Sequence, residues 1–236
     1  IGAAEVTVAD YRSFDDGSLY PLEAWSGGQS GDAWQDFCTF TPTPGAHEDL
    51  PVLCVSYEGA RAYCQAHGGD LTTEAQFEYV ASALESRRYV WGTDEPSCED
   101  AVLMRAGYGI FEDVAENCEP PAAPGGAEAV GTKAPSARRD TLFLAGFVHD
   151  LVGNATEMAR DQWNRQDEPC WSAGGVFVDP ECTEPSPADG DRIVFRGGSW
   201  VVGPANAMAA WRSHIPAVFT YQGLDLGFRC TRRATP

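Results

Sequence analysis

The chain has 236 residues, 43% of them hydrophobic with 7 Trp, 8 Tyr and 11 Phe, which excludes a disordered polypeptide and suffices for one large domain. A formal net charge of -19 excludes nucleic acid and anionic membrane surfaces as partners, because both would be repelled. With 25 Gly and 16 Pro, much of the chain must be turn and loop.

In chain order, "AAEVTVADYRSF" alternates and then turns helical, with Thr7 placed to cap a helix from about Val8. Residues 15–50 are rich in Gly, Pro and Asp and read as a long loop pinned by Trp25 and Trp34. "LPVLCVSYEGARAYCQAHGG" is expected to give a short strand, an N-cap at Ser56, a helix to about His67 and a glycine stop. Thr73 and Gln76 then form a capping box, ahead of an apolar stripe at Phe77, Val80, Ala81 and Leu84. "YVWG" looks like a short strand and turn, and residues 93–140 have little periodicity. An acidic loop is expected from Gln166 to Asp191. "DRIVFRGGSW" reads as a strand with a glycine kink, "AMAAWRSHI" as a strand crossing the core, and "LGFRCTRR" as a final strand. No internal repeat or heptad run appears, so residues 1–236 are expected to form a single α+β domain.

Eight cysteines are scattered along the chain, and none stands in a C-x-x-C pair of a zinc ribbon or redox motif. Their even number in an acidic, loop-rich chain suggests disulfides and hence an extracellular or periplasmic location. No apolar run is long enough to span a bilayer. The opening "IGAAEVTVADY" reads like the inside of a strand, so the first residue is expected to be a processed or truncated end.

Six segments, "EVTVADYRSF", "PVLCVSYEGARAYCQAHGGDLTTEAQFEYVAS", "YVWG", "VHDLVGNATEM", "RIVFRGGSW" and "LGFRC", taken together and in order, resemble the formylglycine-generating enzyme (sulfatase-modifying factor) family. The resemblance implies a variant of the C-type-lectin-like fold with little regular secondary structure. It also implies a bridge between Cys64 and Cys230; the pairs Cys38–Cys54, Cys98–Cys118 and Cys170–Cys182 are expected from proximity alone. In the family "RGGSW" lies beside the active groove, which here would involve Ser199, Trp200, Val202, Ala207, Trp211, Arg212, Phe219 and Tyr221. Arg196, Arg212 and Arg229 are expected to pair with buried carboxylates or carbonyls.

The family's oxidase holds copper between two thiolates, and the matching positions here carry Val202 and Ala207, which cannot bind a metal. His47, His67, His149 and His214 show no H-x-x-x-H spacing for iron, and Ser199 does not sit in a G-x-S-x-G elbow. Asp94, Glu95, Glu99 and Asp100 read as solvated loop charge. In "DLVGNATE" the resemblance implies a calcium ion held by the carboxylates of Asp150 and Glu157 and the carbonyls of Gly153 and Ala155, with Asn154 bracing the turn. Thr156 and Met158 stand where the family has tryptophans, and a second calcium loop near Asp100–Val102 lacks its asparagine. The reading reached is an exported, calcium-binding domain that engages a protein or glycan ligand, or takes part in self-assembly or partner-domain assembly, without formylglycine-generating activity. The alternative is an oxidoreductase of the same superfamily with an unrecognised metal site.

Overall fold

The computed structural model describes residues 1–19, 38–82, 85, 87–105, 118, 126–131, 148–172, 174–217 and 223–232. Helix α1 (Val8–Phe14) begins where the Thr7 hydroxyl accepts the Asp10 N–H, at 3.1 Å, and it buries Val8 and Tyr11. Helix α2 (Tyr57–Ala66) starts at Ser56, whose hydroxyl accepts the Gly59 N–H. It buries Gly59, Ala60, Tyr63 and Cys64, a single helical face. The two helices meet through Tyr11 and Tyr63, stacked at 5.8 Å, with Phe228 edge-on to both.

After the short strand β1 (Asp70–Leu71), helix α3 (Glu74–Ser82) opens with the reciprocal Thr73–Gln76 box, both bonds at 3.2 Å. Its start is also fixed by Asp161, which accepts the N–H groups of Glu74 at 2.7 Å and Cys182 at 2.9 Å. Asp161 lies on β2 (Thr156–Gln162), the strand around which the main sheet is built. The order of that sheet is β4-β3-β2-β5, with β3 (Arg192–Arg196), β4 (Arg212–Pro216) and β5 (Leu226–Gly227). β3 runs antiparallel to both neighbours, whereas β5 joins β2 in parallel. Strand β6 (Cys230–Thr231) pairs with β1 in a second, two-stranded sheet.

Several expectations change. "PVLCV" makes only an isolated bridge, Thr7 to Pro51, because its backbone is pinned to Val6 rather than to a full strand. "AMAAWRSHI" does not cross the core: Pro204–Ala207 form a 3-10 turn and β4 begins only at Arg212, at the sheet's edge. "LGFRCTRR" splits into β5 and β6 in two different sheets. "YVWG" closes as a tight turn, bonded both ways between Tyr89 and Gly92. The acidic loop contains a short helix, α4 (Pro169–Ser172). Trp25, Trp34 and Leu84 lie outside the described residues.

All eight cysteines are joined, as Cys38–Cys54, Cys64–Cys230, Cys98–Cys118 and Cys170–Cys182. Such bonds persist in oxidising compartments. Among the described residues no helix is long and apolar enough to cross a membrane.

Candidate functional site

Gly153 and Gly197 set the backbone frame of the site. Gly153 donates to the Gly197 carbonyl at 3.1 Å, and both have positive φ, +82° and +86°. A Cβ on Gly153 would stand 2.6 Å from the Val102 carbonyl, and one on Gly197 would stand 2.8 Å from that of Leu151. Only glycine allows this backbone-on-backbone contact. Two segments far apart in sequence, "DLVGNATE" and "RGGSW", are thereby held together.

Asp150, Gly153 and Asn154 are the left-handed residues of the first turn. Behind it lies a buried ion cluster. Arg229 donates through Nε to Glu157 Oε2 at 2.6 Å, and through a terminal nitrogen to the other oxygen and to the carbonyls of His149 and Asp150. Asp150 accepts the Gly131 N–H at 2.6 Å. Glu5 joins the same cluster, accepting Asn154 Nδ2 at 2.7 Å and the Ala155 N–H at 2.9 Å. Asn154 braces the turn further by accepting the Glu128 N–H.

Burial, then the charges of Asp150 and Glu157, push the Glu5 carboxyl well above its usual range. Burial also raises Asp150, against the Gly131 hydrogen bond, and raises Glu157, against the pull of Arg229. Three buried acids lie near one guanidinium, so like charge adds to burial in raising Glu5 and Glu157. Glu5 was not anticipated from the sequence. Its signal was an acid in the apolar alternation "AAEVTV", where a solvent-facing position is otherwise expected.

The "RGGSW" residues are mostly inside the protein. Ser199 and Trp200 have no exposed surface, and Trp200 packs with Leu53, Cys54 and Ala127. The Ser199 hydroxyl donates to Asp225 Oδ2 at 2.5 Å; burial raises the Asp225 carboxyl, and this bond pulls it back. Val202 and Ala207 lie in one apolar cluster with Phe77, Leu103, Met104 and Leu151, at 7% and 0% exposure. Neither the Val202 nor the Ala207 side chain has a donor atom, and this pair does not fit a copper ion. Trp211 is half-buried against Phe195, while Phe219 and Tyr221 lie outside the described residues.

The three arginines do pair internally. Arg196, fully buried, binds Glu74 at 2.8 Å and the Ala209 carbonyl at 2.7 Å. Arg212 places Nε and a terminal nitrogen on the two oxygens of the same Glu74, donates to the Asn164 carbonyl, and stacks on Trp163 at 4.3 Å. Arg229 is the cation of the cluster above. Glu95, read as solvated charge, pairs with Arg88 and accepts the Tyr89 hydroxyl. The histidines do not converge: among the described residues no group of three or more His, Cys, Asp or Glu is arranged to hold a metal ion.

The model of the sulfatase-modifying factor enzyme 1-like domain matches residues 1–234. The chain belongs to this family. It is 28% identical to hercynine oxygenase of Mycobacterium tuberculosis over 90% of the chain and 48% of that protein. It is 30% identical to the formylglycine-generating enzyme of Streptomyces coelicolor over 80% of the chain and 57% of the relative. The inactive C-alpha-formylglycine-generating enzyme 2 of Bos taurus is 27% identical, over 82% of the chain and 54% of the relative. The chain thus spans about half the length of the curated relatives it matches. Its fold is similar to the crystal structure of CarF, with a TM-score of 0.54, 14% identity, and coverage of 99% and 85% of the two chains. The expected α+β fold, with few helices and small sheets, is that of the family.

Proposed function

We propose that this member of the family is an exported, calcium-stabilised domain that binds a protein or glycan, or serves in assembly, and does not generate formylglycine. One observation carries the last point. Val202 and Ala207 fill, with hydrocarbon, the two positions where copper chemistry of the family's kind needs thiolates. A relative described as inactive, at 27% identity, is consistent with family members that have no such activity. Export is supported by four disulfides with no cysteine left over.

Calcium is supported by chemistry and charge. Asp150 and Glu157 would contribute carboxylates, and Gly153 and Ala155 carbonyls, all hard oxygen donors from a tight turn. A divalent cation would bring positive charge to a buried region where three acids lie near one guanidinium. Arg229 uses one lone-pair site on each Glu157 oxygen, and a carboxylate has about four, so Glu157 retains capacity for an ion. This set has only two side-chain ligands, the rest being main chain.

The deciding experiment incubates the protein with copper, oxygen and a peptide bearing a sulfatase-type cysteine. The peptide mass is expected to stay unchanged. Aldehyde formed over repeated turnovers would overturn the proposal.

A further inference from the structure

The acidic loop carries an apolar tip. Val176 and Val178 are 94% and 88% exposed, with Phe177 between them at 44%. This tip is held in place. Cys170–Cys182 closes the loop, Asp161 holds the Cys182 N–H, and Asp179 accepts Gln76 Nε2 at 2.9 Å, which ties the tip to α3. Between the tip and α3 runs an open groove of about 520 Å³. Three aromatic side chains line it: Tyr79 from α3, and Trp171 and Phe177 from the loop, the latter two edge-to-face at 6.3 Å.

The charged groups around this groove are not equivalent. Glu74 is fully committed to Arg196 and Arg212, and Arg212 to Glu74 and the Asn164 carbonyl. Glu78 is half exposed, and only its Oε2 meets Arg196, at 3.3 Å. Its Oε1 has no donor among the described residues. The Trp171 indole N–H is also without an acceptor among the described residues, although that nitrogen is buried. A buried donor left unpaired is unfavourable until a ligand or a small rotation supplies an acceptor.

We infer that this groove receives a lysine or arginine side chain, presented between apolar residues, from a polypeptide partner. The cation lies against the ring faces of Tyr79, Trp171 and Phe177 and donates to Glu78 Oε1. Flanking apolar residues cover Val176 and Val178, and a main-chain carbonyl of the partner accepts the Trp171 N–H after a small turn of the ring. The net charge of -19 draws a cationic partner and repels an anionic lipid surface, the other class that an apolar tip could enter. This inference rests on the reading of the chain as a binding domain and names the chemistry of its partner.

The test titrates the protein with a short labelled peptide alternating lysine with leucine, and with its glutamate-for-lysine analogue. Binding is expected for the lysine peptide alone. Tyr79→Ala, Phe177→Ser and Glu78→Gln are each expected to weaken it by about 3- to 30-fold. Leu19→Ala, an exposed position elsewhere, should leave it unchanged, and near-ultraviolet circular dichroism reports that each variant is folded. No binding of the lysine peptide, equal binding by folded groove variants, or equal binding of the glutamate analogue would each overturn the inference. So would capture by neutral phosphatidylcholine vesicles, lost in Phe177→Ser, without peptide binding. Aldehyde formation on the cysteine substrate is scored separately, so a failure here is distinguishable from a failure of the proposed function.

Discussion

The Arg229 guanidinium lies on the Glu157 carboxylate, Nε to Oε2 at 2.6 Å, with the two side chains at 0% and 3% exposure. Burial works to lower the Arg229 pKa, and Glu157 more than offsets it, so the cation keeps its proton. Removing one partner would leave a buried charge without its counterpart. Glu157→Ala or Arg229→Leu is therefore expected to cost about 3–5 kcal/mol, while the paired double substitution costs less than the two singles together. Urea denaturation of all three variants checks this. Additive losses would mean that the two groups act independently.

Calcium should act on the same region. At about a hundredfold excess over Kd, an ion that binds only the folded turn stabilises by about 2.7 kcal/mol, and chelation removes that gain. The variant of choice is Asp150→Asn, because Asp150 has a φ of 53° that Asn tolerates and Ala does not. Thermal melts of this variant should respond less to calcium than those of the wild type, because a neutral amide oxygen is a weaker ligand than the carboxylate. A wild-type melt unchanged by chelator would remove the site from the account.

Much of this arrangement was legible in the sequence, and the reasons differ by element. The helices announce themselves through Thr7, Ser56 and the Thr73–Gln76 box, since capping is a local interaction between near neighbours. Strand β2, the centre of the main sheet, reads "TEMARDQ" and hides behind its polar residues. It is buried because those groups find distant partners: Glu157 has Arg229, Arg160 has Glu181, and Asp161 has two backbone N–H groups. No window of sequence contains both halves of such pairs. The same holds for Glu5, whose ligands sit 149 and 150 residues away. Arg196, Arg212 and Arg229 were readable only as arginines in apolar surroundings that must find acceptors, not as partners of particular acids.

Burial pushes the Asp161 carboxyl up to about 6, from an ordinary 3.8. A raised folded value means that its contribution to stability is full below the unfolded pKa and is lost as pH rises through about 6. The span amounts to about 3 kcal/mol. Compared with Asp161→Asn, which does not titrate, wild type should gain stability steadily as pH falls from about 7 to about 4. A stability difference that is flat over this range would show that Asp161 titrates normally.

The four disulfides should contribute unequally. Cys64–Cys230 closes a ring 166 residues apart, and Cys170–Cys182 one of 12. In the chain-entropy model these correspond to about 5 and about 3 kcal/mol. Replacing each pair by serine and comparing denaturation midpoints tests the order. A larger loss from the short ring would assign that bridge's effect to the folded loop rather than to the unfolded chain.

The long ring also changes how the protein responds to cutting. Cys64 on α2 and Cys230 on β6 are covalently joined, so every loop between them belongs to a closed circuit. A protease that severs one such loop opens the circuit but releases no piece. The clipped molecule would migrate as a single species until a reductant is added, when it falls into fragments. Outside the reducing interior of a cell, such a domain can be nicked at a loop and still remain one molecule.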